Sequence, residues 1–298
     1  MLRSRHLTLL AAALILPLAI AGLAAEAGQG KIDVLRIGTS GTLSEEVSGA
    51  KEKSAMETLK RFIKDETGLE NEILRQKDWR ELTDKLSKGQ VHLGVYQGYE
   101  FAWAQEKFPE LKPLALAVNV ELYPIVFVVV QKTNKAKNFA GLQGQTLSLP
   151  ATGQRNLQLF VEHECRANGK EMEKYFSKIT HPDNLEDAVD DVVDGIVNAT
   201  VADKAALEAY KRRKPARFAK LKDVARSQPL PPVTVAYSAK FVDEPTLKRL
   251  QDGLTGASKK EQGETVLTLF RLTGFQTPPD DFGKVLTATR KTYPPPPP

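Results

Sequence analysis

From Ile32 onward, two apolar periodicities take turns along the chain. One alternates every second residue and the other recurs every three to four. This exchange of strand for helix patterns confines the sequence to an α/β fold. Residues 32–37 alternate apolar and other side chains and stop at Gly38, which reads as a first strand entering the polar loop Thr39-Ser40-Gly41-Thr42. Met56, Leu59, Phe62 and Ile63 then recur at helical spacing until Gly68. Asp78-Trp79-Arg80-Glu81 is an acidic variant of the capping box, and Trp79, Leu82 and Leu86 make the inward stripe of the helix it opens, up to Gly89. A strand over 91–95 runs into Tyr96-Gln97-Gly98-Tyr99-Glu100, and the pattern over 101–108 is helical again.

The runs 114–118 and 125–130 are apolar and β-rich, as buried central strands are, and 119–124 is a short link between them. A second unit of the same style follows. It has a strand over 146–149, the turn Pro150-Ala151-Thr152-Gly153, and a helix face of Leu157, Phe160, Val161 and Cys165 ending at Gly169. A short strand over 178–181, a helix capped at Asp183 with Leu185, Ala188, Val189, Val192 and Val193 inward, a strand over 196–201 and a helix capped by Asp203 complete it. Pro229-Leu230-Pro231-Pro232 is a stiff return connector to a strand over 233–237, and three further helices close the chain.

Two similar αβ units joined by two short crossings imply two lobes. Lobe I is expected to comprise 28–120 and 232–293, and lobe II 121–231. Residues 294–298, all proline, are expected as an exposed extended tail without a partner in the fold.

The first 27 residues read as a cleavable export signal. Arg3 and Arg5 precede an apolar run interrupted by Pro17, and Ala25-Glu26-Ala27 fits a small-x-small cleavage site. No cysteine lies near that site, so a lipid anchor is not expected and a periplasmic or secreted protein is. Cys165 is the single cysteine, which excludes an internal disulfide, and its apolar helix face marks it as a core residue. With 41% hydrophobic and 27% charged residues the chain can build a packed core. The net charge of +5 is spread out except at Lys211-Arg212-Arg213-Lys214, which suits a helix carboxyl end better than a nucleic-acid patch.

Three segments resemble type II periplasmic solute-binding proteins of ABC importers: Leu86-Ser87-Lys88-Gly89-Gln90-Val91-His92-Leu93-Gly94-Val95, the stretch from Phe139-Ala140-Gly141-Leu142 to Leu149-Pro150, and Val192-Val193-Asp194-Gly195-Ile196-Val197-Asn198-Ala199. Ser227-Gln228-Pro229-Leu230-Pro231-Pro232 is similar to the return crossing of the phosphonate, phosphate and phosphite branch. The resemblance implies an α/β, two-lobed type II fold with a ligand cleft between lobes. It also implies capture of a small-molecule anion, an inner-membrane permease as partner, a monomer, no cofactor and no catalysis. Departures from the branch are Asn198 and His92 where it carries aspartate, and an anion loop reduced to Ala151-Thr152-Gly153. A sensory role on the same fold, or catalysis on it, would be the alternatives.

Ligands of open α/β sheets sit beyond strand carboxyl ends, beside helix amino ends. That rule nominates Thr39 and Ser40, then Tyr96, Gln97 and Tyr99, then Thr152, Gly153, Gln154 and Arg155, with Asp203 as a further candidate. Arg155 offers a bidentate guanidinium to a phosphoryl or carboxylate group. A metal-carrier reading would need Tyr96, Tyr99, His92 and Asp203 to converge. None of the four histidines sits in a zinc-binding or hydrolase motif.

Overall fold

The structure, a computed structural model, describes residues 32–41, 50–150 and 155–297. The signal-peptide expectation and the candidates Thr152, Gly153 and Gln154 lie outside the described residues.

The chain first lays down β1 (Val34–Thr39), α1 (Ala50–Thr67), β2 (Glu70–Arg75), α2 (Trp79–Ser87), β3 (Leu93–Tyr96), α3 (Gly98–Lys107) and β4 (Leu111–Val118). It then crosses to β5 (Val126–Gln131), β6 (Thr146–Ser148), α4 (Arg155–Ala167), the short α5 (Met172–Tyr175), β7 (Lys178–Thr180) and α6 (Leu185–Val193). β8 (Ala199–Asp203), α7 (Lys204–Arg213), the short α8 (Pro215–Phe218) and β9 (Leu221–Arg226) finish that unit. The chain returns through β10 (Thr234–Ser238), α9 (Glu244–Thr255), α10 (Glu261–Leu269), β11 (Gly274–Gln276) and α11 (Phe282–Thr292).

Two sheets result, ordered β11-β4-β10-β3-β1-β2 and β7-β6-β8-β5-β9. Each is apolar on both faces, so each takes helices on both. β5 shows why. Val128 and Val130 join the cluster under α4 with Phe160 and Val161, while Val129 joins the cluster under α6 with Val189 and Val192. In the first sheet Val235 packs with Phe62 and Leu250, and its neighbour Ala236 lies with Trp79, Leu82 and Phe101. Each such fully buried aliphatic side chain contributes roughly 1.5–3 kcal/mol.

Strand direction positions the site. β1, β2 and β3 run parallel, and β10 is antiparallel to both β3 and β4. Hence β4 points the same way as β1 to β3. In the second sheet β6 is parallel to β7 and β8, and β5 is antiparallel to β8 and β9. The crossings leave from the end of β4 and return into the start of β10, where Thr234 pairs with Tyr96 on one side and Leu116 on the other. They enter the second sheet where Val126 faces Asp203 and Phe127 faces Arg226. The carboxyl ends of β1 to β4 in lobe I and of β6 to β8 in lobe II therefore both lie on the crossing side.

Several expectations need correction. β2, β9 and β11 are strands that the apolar pattern did not announce. Ile196 lies in the turn before β8 and is 68% exposed, not a strand residue. The cap of α6 is Asn184, one residue after Asp183, with its side chain accepting from the Asp187 amide. The proline tail is exposed but has a partner: the Arg80 guanidinium donates to the carbonyls of Pro296 and Pro297. The basic run at the end of α7 is not simply solvated either, since Arg213 pairs with Glu186 and Lys214 with Glu186 and Asp190 of α6.

Candidate functional site

The two crossings are bonded to each other. The Ser227 amide donates to the Val126 carbonyl at 2.8 Å, and the Val126 amide donates to Ser227 Oγ at 3.0 Å. The Leu230 amide reaches the Pro124 carbonyl at 2.9 Å. Flanking contacts tie both lobes to this belt. Glu121 pairs with Lys204 at the start of α7, and Tyr123 donates its hydroxyl to Asp281 at 2.8 Å. Burial and the neighbouring carboxylate push the Tyr123 phenol up to about 12, so it stays a donor. Val120 holds a left-handed φ of 67°, an outlier for a β-branched residue, with its amide on Thr273 Oγ1.

On the lobe I side, β1 ends at Thr39, which is partly exposed, and Ser40 is buried. Ser40 Oγ lies 2.7 Å from Glu100 Oε2 and donates to it. The same oxygen accepts from the Gln97 amide at 3.2 Å. Glu100 was not singled out from the sequence. Its signal was its place three residues after Gln97, where a carboxylate closes a helix start. Gln97 and Tyr99 are buried beside it, and the Tyr99 ring meets Trp103 edge-on at 5.0 Å. Gly98, at the start of α3, presses on the return crossing: a Cβ there would stand 1.9 Å from the Pro231 carbonyl oxygen. Tyr96 departs from its expected place. It is fully buried in the cluster of α2 and α3, 5.9 Å from the Phe101 ring, with its hydroxyl 3.3 Å from Thr83 Oγ1. β3 is covered on both faces, so strand alternation turned this tyrosine into the core.

On the lobe II side, α4 follows β6 and begins at Arg155, whose Nη1 donates to Gln158 Oε1 at 3.2 Å. Asn156 Oδ1, in the first turn of α4, and Thr180 Oγ1, at the end of β7, are buried and find no hydrogen-bond partner among the described residues. His181 follows β7, and its Nδ1 lies 2.9 Å from the Leu149 carbonyl, which makes Nδ1 the protonated nitrogen. Asp203 ends β8, is 5% exposed, and accepts from the Ala206 amide at 2.7 Å as the cap of α7.

Electrostatically the helix starts differ. Asp78 caps α2, with Glu81 in its first turn. Glu100 closes α3, Glu186 and Asp187 open α6, and Asp203 caps α7. The first turn of α4 has no acidic residue and begins with Arg155. Carboxylates already neutralise the first group, whereas the first turn of α4 carries a guanidinium, and anions favour helix amino ends.

The residues that a metal carrier would need do not converge. Tyr96 is in the core, and His92 precedes β3 at the end far from the crossings, its Nδ1 accepting from the Arg36 amide at 2.9 Å. Among the described residues no group of three His, Cys, Asp or Glu side chains could hold a metal ion.

The sequence over residues 44–281 matches the family described as ABC transporter, phosphonate, periplasmic substrate-binding protein. The chain belongs to that phosphonate-binding family. The family is one of substrate-binding components of transporters, not of enzymes, so a small-molecule ligand and a permease partner come with membership. No curated protein matches the sequence.

Solved structures share the family fold. A Xanthomonas citri protein bound to chloride ion superposes with a TM-score of 0.62 at 16% identity, over 88% of this chain and 98% of that one. PhnD1 from Prochlorococcus marinus, in complex with methylphosphonate, gives 0.59 at 14% identity over 87% and 97%. A binding-protein component of an ABC phosphonate transporter from Pseudomonas aeruginosa gives 0.55 at 16% over 87% of each chain. The fold is thus the two-lobed one of periplasmic binding proteins, as the resemblance implied.

Proposed function

We propose that this phosphonate-binding family member holds a small phosphorus oxyanion, a phosphonate or phosphate, between its lobes and passes it to a membrane permease. The observation that carries the reading is the start of α4. Its first turn opens on Arg155 and holds no acidic residue, whereas α2, α3, α6 and α7 each carry a carboxylate at the cap or in the first turn. Arg155 would take two oxyanion oxygens, and the amides of Thr152, Gly153 and Gln154 precede it in the chain. Thr39, Ser40, Gln97 and Tyr99 would form the facing wall, and Asp203 would border the site on the side nearer the crossings. The crossings at 119–125 and 227–233 act as the hinge, and a guest bonded to both walls favours the closed state. The relative in complex with methylphosphonate supports the ligand class, as does family membership.

A thermal-shift series over methylphosphonate, phosphate, sulfate and small carboxylates tests this, followed by calorimetric titration of any hit. A rise in melting temperature with phosphorus oxyanions that grows with concentration is expected. A flat response across the series rejects the ligand class.

A further inference from the structure

We infer that Tyr293 is a positioning residue for ligand capture: it docks the end of lobe I's last helix into the core of lobe II and so holds the two cleft walls in register. The helix itself belongs to lobe I. Phe282 and Leu286 of α11 lie in the α2/α3 cluster, Phe282 stacks on Phe101 with centroids 6.4 Å apart, and Arg290 donates to the Ala102 carbonyl at 3.3 Å. At the end of α11 the backbone stays with lobe I, because Trp103 Nε1 donates to the Tyr293 carbonyl at 2.7 Å.

The Tyr293 ring does the opposite. It is 4% exposed, joins the lobe II cluster that contains Phe160 and Val161, and meets the His163 ring of α4 edge-on at 5.0 Å. Leu159 of α4 packs against the clusters of both lobes beside it. Beyond Tyr293 the proline run is held on lobe I by Arg80, whose guanidinium also lies 4.7 Å from the Trp79 ring centroid. A stiff polyproline segment whose carbonyls accept from an arginine lying over an aromatic ring loses little entropy on docking.

The mechanical consequence follows from the length of α11. Its start, Asp281, is bonded to Tyr123 of the first crossing, and Tyr293 lies a helix length away, about 16 Å for 11 residues. Tyr293 is therefore a non-covalent third link between lobes that the chain itself joins twice. Without it the lobes sample more relative orientations, the binding-competent fraction falls, and apparent affinity falls in proportion.

Spin labels at exposed Lys248 in lobe I and Glu171 in lobe II would read the inter-lobe distance distribution of the full chain without ligand. Methylphosphonate titration would read affinity. Tyr293→Ala should broaden the distribution and weaken binding about tenfold, as a competent fraction of one in ten implies. Tyr293→Phe should preserve both, because the ring and the backbone carbonyl make the docking contacts. Trp103→Phe, which removes the Nε1 donor and leaves Tyr293 in place, should broaden the distribution less and serves if Tyr293→Ala does not fold. An unchanged distribution in the folded variants overturns the inference, whatever the affinity does. The distance arm needs no ligand, so failure of every oxyanion to bind would count against the proposed function and leave this inference to be decided separately.

Discussion

α3 of lobe I and α4 of lobe II present opposite chemistry at their amino ends. Each follows a parallel strand whose carboxyl end faces the crossings. At α3 the buried Glu100 takes the Ser40 hydroxyl and the Gln97 amide, so the positive end of the helix is satisfied from within. At α4 the first turn carries Arg155 and no acid, and Asn156 Oδ1 is buried nearby without a partner among the described residues. Topology supplies several helix starts around one gap. Local sequence decides which of them carries a carboxylate and which a guanidinium.

The largest effect should come from breaking the lobe I half of this contrast at Gly98. An alanine Cβ would collide with the backbone of the return crossing at Pro231, which cannot swing aside as a side-chain tip could. Gly98→Ala should cost about 2–4 kcal/mol, seen as a lower urea midpoint at unchanged slope. An unchanged midpoint would mean that α3 is not wedged against the crossing. Next, Arg155→Gln should weaken methylphosphonate binding by about 10- to 100-fold, the usual worth of hydrogen bonds to a charged group, without lowering the melting temperature. Glu100→Gln should do the reverse. It should cost about 1–2 kcal/mol of stability, since two charge-assisted bonds weaken, and leave affinity within about threefold. If Glu100→Gln abolished binding while Arg155→Gln spared it, the contrast would be inverted.

The contrast also explains what could be read from the sequence and what could not. Buried, two-faced strands such as β4 and β5, and helices with strong stripes such as Trp79, Leu82 and Leu86, announce themselves because burial demands apolar side chains at fixed spacing. Gly89 and Gly195 marked the ends of α2 and α6 because both chains turn there through positive φ, at 70° and 74°. β2, β9 and β11 escaped notice because each ends a sheet or lies at its margin, where one edge meets solvent and charges such as Glu70, Glu72 and Asp223 are tolerated. Tyr96 was misjudged for a related reason. In a strand covered on both faces, a polar-tipped aromatic can enter the core if its hydroxyl finds a partner, and Thr83 supplies one. Glu100 was overlooked because a carboxylate among aromatics reads as a loop residue until the helix start around it is seen.

The smallest expected effect lies at the far end of lobe I and sharpens the comparison by separating stability from binding. Burial, and after it the Arg36 charge, holds the His92 imidazole well below its usual value, at about 4. The unfolded chain takes up this proton near pH 6.5 and the folded chain only near 4. Stability attributable to His92 is therefore fully present above about 6.5 and lost as pH falls through that window. Partial screening leaves about 1–2 kcal/mol of the effect. His92→Gln should flatten the fall in unfolding free energy between pH 6.5 and 4 and leave methylphosphonate affinity unaltered, because residue 92 sits at the opposite end of the sheet from the crossings.

Hydrogen–deuterium exchange of the full chain with and without methylphosphonate tests most directly whether a guest is held between two walls. The account predicts that ligand slows exchange together in the end of β1, the start of α3 and the first turns of α4, with the edge strands β2 and β9 unaffected. Protection restricted to one lobe, or spread evenly over both, would contradict it.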